Sequence, residues 1–370
     1  MRLLTLCGVC LIGIGISPVG LIAEDDALSS RYLPYAPDAT DAVKSDLAKL
    51  PKLERYWRTA EEIKAARSAD ALPLEGLRLV IDPGHIGGQW ADVEARNFRV
   101  SESDFWIREG ELVLEVALDV KDQLEGLGAD VFLTRTRNEP LSTQPASAFI
   151  SEAIEGMDVP VDSDSESMSL FNELVLKKAT QMAAVRGELL ARADWINDEI
   201  QPDAVLSLHI DAAPWPKSDL HELVPNNHLH VLIFGCLSKA ELLAPFQTFD
   251  LLVKLQNGSG GEESELGEAM ARALKEATGL PAFTYEGENA VLLPNTEGYL
   301  WARNLLLLRK VQCPIALLEP YVANSEGVYL RLQEAIRDRK MGMDLSESDL
   351  LKEYAEAVVA GVIDHYASSK

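Results

Sequence analysis

Cysteine is scarce in this 370-residue chain, four in all, which excludes a fold stapled by a disulfide framework. Positive charge is short as well: 34 Lys and Arg face 59 Asp and Glu, a formal charge of −25 with histidine neutral. A field of that sign opposes nonspecific contact with nucleic acid or an anionic membrane, so neither is expected as a partner. No internal repeat is visible. What remains is 47% hydrophobic and 25% charged, the composition of a folded globular protein with ample core.

Residues Met1 to Ala23 contain one charge, Arg2, then the apolar run LLTLCGVCLIGIGI and SPVGLIA, the order of a secretory signal peptide. The run Leu3 to Ile16 is short for a span, which takes about 20 residues, while the uncharged stretch to Ala23 leaves an uncleaved N-terminal anchor as the alternative. Leu6 and Val9 precede Cys7 and Cys10, where a lipid-modified cysteine would want a small residue. A periplasmic or secreted location is expected, with an acidic mature chain holding only Cys236 and Cys313. These two could form a disulfide if their strands ran antiparallel, and would otherwise be small buried hydrophobes.

Residues 24–75 read as a helical extension and linker, with helical composition over Asp38 to Leu50 and Tyr56 to Leu72. From Leu77, β-rich runs alternate with amphipathic ones: LRLVID, a helix around Glu111 to Leu127, ADVFLTR, a helix from about Phe171 to Ile200, AVLSLHID, HLHVLIFG, a helix Ser264 to Thr278, and PIALLE. That alternation predicts an α/β fold over residues 76–370, one three-layer domain with a mixed, mostly parallel sheet. Leu112, Val116, Val120, Leu124 and Leu127 give the first helix its buried stripe, and Gly128 its stop. An insertion of about residues 138–182 contains the acidic run VDSDSESMS, and QNGSGGEESE reads as a flexible joint.

His85 and His209 sit at the ends of apolar strands, LRLVID-PGH and AVLSLH-ID, where open α/β sheets bind ligands. Glu319 ends a third strand, and Glu109 stands at the start of a helix. Two imidazoles and a carboxylate with an open fourth position are the ligand set of a catalytic zinc, and a second carboxylate can carry the proton of the metal-activated water. His85, Glu109 and His209 fit the first role and Glu319 the second. Glu111 and Glu115 share the helix with Glu109. His221, His228 and His230 form another histidine cluster, read as ordinary loop and strand histidines because no carboxylate stands at clear ligand spacing. His365 is expected at the surface. Trp90, Phe98, Phe105 and Trp106 crowd the segment between His85 and Glu109, where they could stack on sugar rings, cover the zinc or cap the core.

Four blocks in order resemble the zinc-dependent N-acetylmuramoyl-L-alanine amidases, which cut peptidoglycan. LRLVIDPGHIGG is similar to the block carrying the first histidine ligand, and REGELVLEVALDVKDQLEGLGADVFLTR to that carrying the glutamate, in a register that selects Glu109 over Glu111. AVLSLHIDA resembles the block with the second histidine, His209. PIALLEPYVANSEG resembles the last, with the catalytic glutamate at Glu319 and an asparagine at Asn324; LLARADWIND resembles the preceding helix through Arg192. The resemblance implies Zn2+ as cofactor, peptidoglycan or muropeptides as substrate, and hydrolysis of the lactyl-L-alanine amide to release stem peptides. A zinc peptidase or carboxypeptidase on stem peptides, or an inactive wall-binding regulator of the same fold, are the alternatives. Departures are the extra Ile86 before Gly87-Gly88, Gly110 where a lysine is common, Pro320-Tyr321 after the glutamate, and the long insertion. That insertion is either a solvated loop or a lid on which a protein activator would act.

Overall fold

Apolar runs of β-branched and aromatic residues become strands only where both faces can be covered. The computed structural model of the protein describes residues 52–155, 157, 165–215, 222–294, 296–343 and 349–368. The export signal, Cys7, Cys10, the helix expected over Asp38 to Leu50, and His221 lie outside them.

Nine strands occur among the described residues: β1 Arg78–Pro83, β2 Asn97–Phe98, β3 Ile107–Arg108, β4 Asp130–Leu133, β5 Ala204–Leu208, β6 Leu229–Phe234, β7 Val291–Leu292, β8 Leu300–Arg303 and β9 Ile315–Pro320. Seven form one sheet in the order β4-β1-β5-β9-β6-β8-β7, and β2-β3 is a separate ribbon. β4, β1, β5 and β9 are mutually parallel; β6 is antiparallel to β9, β8 parallel to β6, and β7 antiparallel to β8. The mixed, mostly parallel α/β sheet is as the sequence predicts.

Alternating side chains feed two cores, one on each face. Leu79, Ile81, Leu206, Val231 and Leu318 join one, and Val80, Val205, Leu232, Phe234 and Leu317 the other. The principal helices are α1 Ala60–Ala66, α2 Glu109–Gly126, α3 Ser165–Met182, α4 Glu188–Asp194, α5 Pro245–Asn257, α6 Ser259–Thr278, α7 Glu326–Met341 and α8 Leu350–Tyr366. Leu112, Val116, Val120 and Leu124 of α2 pack on the first face beside Leu266 and Met270 of α6 and Val358 of α8; Ala193 of α4 and Leu251 of α5 cover the second. Three layers result.

Three local expectations change. The helix read over Tyr56 to Leu72 is only α1, opened by a capping box between Thr59 and Glu62 and ended by extended backbone at Arg67. Trp57, Ala60 and Ile63 nevertheless belong to the two cores. The glycine-rich joint is no linker: Gly258, left-handed at φ +76°, ends α5 and starts α6 at Ser259, five residues before Ser264. Burying Leu266 and pairing Glu263 with Lys254 in the interior outweigh the glycines. His365 is buried, its Nε2 2.9 Å from Glu262 Oε1.

Cys236 and Cys313 are buried thiols that are not joined in a disulfide. β6 and β9 do run antiparallel, yet the left-handed backbone at Cys236 (φ +56°) breaks the strand alternation, leaving the cysteines in opposite cores. Within the insertion, Ile150–Ile154 and α3 form a helical pair over their own small core of Phe149, Ala153, Val175 and Ala179. α3 runs on through a π-helical turn, Ala183–Gly187, into α4, and a second such turn follows at Trp195–Ile200.

Candidate metal centre

β1, β5 and β9 are adjacent and parallel, so the residues after their carboxyl ends meet at one edge of the sheet. The backbone N–H of His209 donates to the Leu318 carbonyl at 2.9 Å, setting His209 beside Glu319. Glu109 opens α2 across from them. His85 Nε2 lies 3.2 Å from Glu109 Oε2, and His209 Nδ1 3.0 Å from Glu109 Oε1. One donor atom from each of the three falls within 4.8 Å of the others. Glu111 instead pairs with Arg108 at 3.0 Å, away from the imidazoles.

The turn that carries His85 is held unusually firmly. His85 adopts left-handed backbone (φ +53°), costly for a residue with a side chain. Two buried arginines grip the carbonyls around it. Arg192 donates to Pro83 O at 3.0 Å and His85 O at 2.7 Å; Arg135 donates to His85 O at 2.8 Å, Gly84 O at 2.9 Å and Gly110 O at 2.6 Å. Buried Asp82 balances this charge, accepting from Arg192 (3.0 Å), Thr134 (2.6 Å) and Ser207 (2.7 Å). Burial pushes its carboxyl up, but Arg192 and the two hydroxyls outweigh this and hold it below the usual range.

Glu94 went unmarked in the sequence. Buried at the end of a one-turn helix, Ala91–Glu94, it places Oε1 3.3 Å from His85 Nδ1, while Oε2 accepts the Ile86 N–H at 2.9 Å. An outer carboxylate behind a ligating imidazole fixes tautomer and ring orientation. Burial alone would lower the His85 pKa; the Glu109 and Glu94 carboxylates outweigh it and raise the value to about 9. Glu109 is held low by the same two histidines against its burial.

The cleft above is about 290 Å³ and is lined by His85, Arg96, Glu109, His209, Asp211 and Glu319, with Phe98 and Trp215 on one wall. Glu319 is pushed up by burial, then by Asp211 and Glu109 nearby. A larger cavity, about 680 Å³, lies between the chain around α1 and helices α5 and α6, and no residue of the histidine–glutamate cluster lines it. Asn324 stands off the metal cluster: its amide exchanges hydrogen bonds with Ala213 (2.9 and 2.8 Å), bracing the loop after His209. Of the crowded aromatics only Phe98 lines the cleft, while Phe105 and Trp106 line a separate cavity of about 170 Å³. No described residue of the insertion lines the cleft.

The donor set suits a four-coordinate metal. Two imidazoles and a carboxylate converge, an outer carboxylate sits behind one of them, and the open side faces a cleft.

Among solved structures, the chain is similar to an N-acetylmuramyl-L-alanine amidase from Mycobacterium smegmatis, 18% identical, covering 80% of this chain and 99% of that one, with a TM-score of 0.43. It is also similar to the catalytic domain of an N-acetylmuramoyl-L-alanine amidase from Bacillus (Paenibacillus) polymyxa var. colistinus, 14% identical over 78% of this chain and 97% of that one, TM-score 0.40. No curated protein sequence matches. The family model described as N-acetylmuramoyl-L-alanine amidase matches residues 79–362, more than half of the chain and every residue named above as lining the cleft, and the chain therefore belongs to that family.

Proposed function

We propose that this amidase is zinc-dependent, with His85, Glu109 and His209 as the metal ligands and Glu319 as the catalytic acid and base. The observation that carries the reading is the convergence of two imidazoles and one carboxylate within 4.8 Å at the floor of a cleft that Glu319 also lines. Bound there, Zn2+ supplies Lewis acidity toward the scissile carbonyl and toward water. The protein's own groups do the rest. Glu319 accepts a proton from the attacking water and returns it to the departing amine nitrogen of L-alanine, a task suited to a buried carboxyl whose proton affinity is raised. Arg96, half-exposed at the rim, offers a cation to a carboxylate of the stem peptide. Glu94 holds His85 in one orientation throughout. The catalytic unit is residues 76–370, exported by the segment Met1 to Ala23 to work on peptidoglycan outside the cytoplasmic membrane. Among the described residues no helix is long and apolar enough to cross a membrane.

Zinc content and mass spectrometry of products from purified sacculi test this together, on the unmutated protein and Glu319→Gln. The expected result is zinc bound to both, with stem peptides bearing a free L-alanine amino terminus released by the unmutated protein alone. Turnover retained in Glu319→Gln removes Glu319 from the mechanism. Full zinc occupancy in His85→Ala or His209→Ala contradicts the ligand assignment.

A further inference from the structure

Beside the first cluster stands a second group of metal-binding side chains. Asp211 lies two residues beyond His209 and also lines the cleft. His228 comes just before β6 and His230 lies within it, opposite Glu319 in the antiparallel register. One donor atom from each of Asp211, His228 and His230 falls within 4.8 Å of the others, and His228 Nε2 is 2.8 Å from Asp211 Oδ2. The carboxylate that the sequence did not show near these histidines arrives from just beyond the end of β5, with only β9 between that strand and β6 in the sheet.

A hydrogen-bonded His–Asp pair alone would account for His228. It leaves His230 unexplained. That side chain is 3% exposed, and its Nδ1 is buried with no hydrogen-bond partner among the described residues. An orphaned buried ring nitrogen is costly unless something fills its place. Phe283 packs against both imidazoles, with ring centroids 4.4 and 5.1 Å away, and Tyr285 meets His230 edge-on at 5.5 Å. Two oriented imidazoles and one carboxylate inside an aromatic sheath are a donor set for zinc and its borderline neighbours, not for calcium or magnesium, which seek oxygen.

We propose that Asp211, His228 and His230 form a second divalent-metal site for Zn2+, on the opposite side of Glu319 from the His85–Glu109–His209 cluster. An ion there places a fixed positive charge beside a cleft whose wall otherwise carries the three carboxylates of Glu109, Asp211 and Glu319. The proposal shares no ligand with the first site, so each stands or falls separately.

The test is metal stoichiometry by calorimetric titration and elemental analysis of the chelator-stripped full chain, titrated with Zn2+ and with Co2+. Two equivalents are expected for the unmutated protein, one for His85→Ala, and one for His228→Gln/His230→Gln. Asp211→Asn, which keeps side-chain volume, serves as the second variant if the double variant does not fold, and is expected to weaken one of the two equivalents at least tenfold. A single equivalent that His85→Ala abolishes overturns the second site and leaves the first. A single equivalent that survives His85→Ala but is lost in His228→Gln/His230→Gln supports the second site and removes the first. Two equivalents unaffected by either second-site variant also overturn the proposal, since the extra ion then binds elsewhere.

Discussion

Gly84 and Gly110 show how little room the turn around His85 leaves. A Cβ on Gly84 would stand 2.3 Å from Cε1 of His209, so Gly84→Ala must push that imidazole aside. A displacement of about 1 Å at a reacting centre can cost on the order of 100-fold in rate. Gly84→Ala is therefore expected to lose activity by about that factor while keeping a native far-UV circular dichroism spectrum; full activity would show the ring has slack that the packing denies. Gly110 matters for a different reason. Its Cβ would come within 2.5 Å of Gly87 N and 2.9 Å of the Ile86 carbonyl carbon. The extra residue at Ile86 and the small residue at Gly110 thus fit each other: the longer turn occupies space that any side chain at position 110 would fill. At the same scale, Glu94→Gln removes the charge behind His85 but keeps the shape. An outer-shell loss of this kind typically weakens metal binding about 10- to 100-fold. Zinc affinity measured against a competing chelator should drop within that range, and an unchanged affinity would leave Glu94 a merely structural carboxylate.

Elements enter through the buried charges that tie helix to sheet. Arg192, on α4, reaches Asp82 at the end of β1 and Glu188 one turn back on its own helix, both from full burial. Removing one partner of such a network leaves uncompensated buried charge, worth about 3–5 kcal/mol. Arg192→Met should lower the urea midpoint accordingly, and a loss below about 1 kcal/mol would show that the network is not coupled to folding. Its pH dependence has a definite sign. The folded Asp82 carboxyl lies below its unfolded value near 3.9, so its stabilisation is fully present above that pH and is lost as pH falls through the folded value. Urea midpoints should fall below about pH 4, with a shallower decline in Asp82→Asn. Legibility in the sequence follows the same division. β1, β5 and β9 are buried on both faces, read as apolar runs, and carry chemistry at their ends, so the sheet class and the meeting of His85, His209, Glu109 and Glu319 were visible beforehand. β7 and β8, two and four residues long, carry too little pattern to register. Glu94 and Asp211 were invisible because their meaning comes from neighbours supplied by the fold, in the second case by the antiparallel placement of β6 against β9. The glycines near 258 misled because composition says flexible where tertiary burial imposes helix.

Over the whole molecule, charge is the dominant long-range property. At −25, the chain repels anions at any distance that salt does not screen. The described part of the insertion does not offset this locally, since its helices pack over their own core and none of its described residues lines the cleft. Within the cleft, Arg96 is the one arginine or lysine among the described lining residues, beside the imidazoles of His85 and His209 and three carboxylates. A muropeptide carrying free carboxylates must therefore approach against the net field. The Debye length shrinks from about 30 Å at 0.01 M ionic strength to about 8 Å at 0.15 M. Over that range kcat/KM for such a substrate should rise, on the order of threefold, while kcat, which reports events after docking, stays level. An amidated, neutral substrate should show no such rise, because the repulsion acts on its charge and not on the chemistry. If kcat/KM for the charged substrate instead falls with salt, attraction at Arg96 and at the proposed metal site outweighs the molecule's net charge, and the steering of substrate is then a property of the cleft alone.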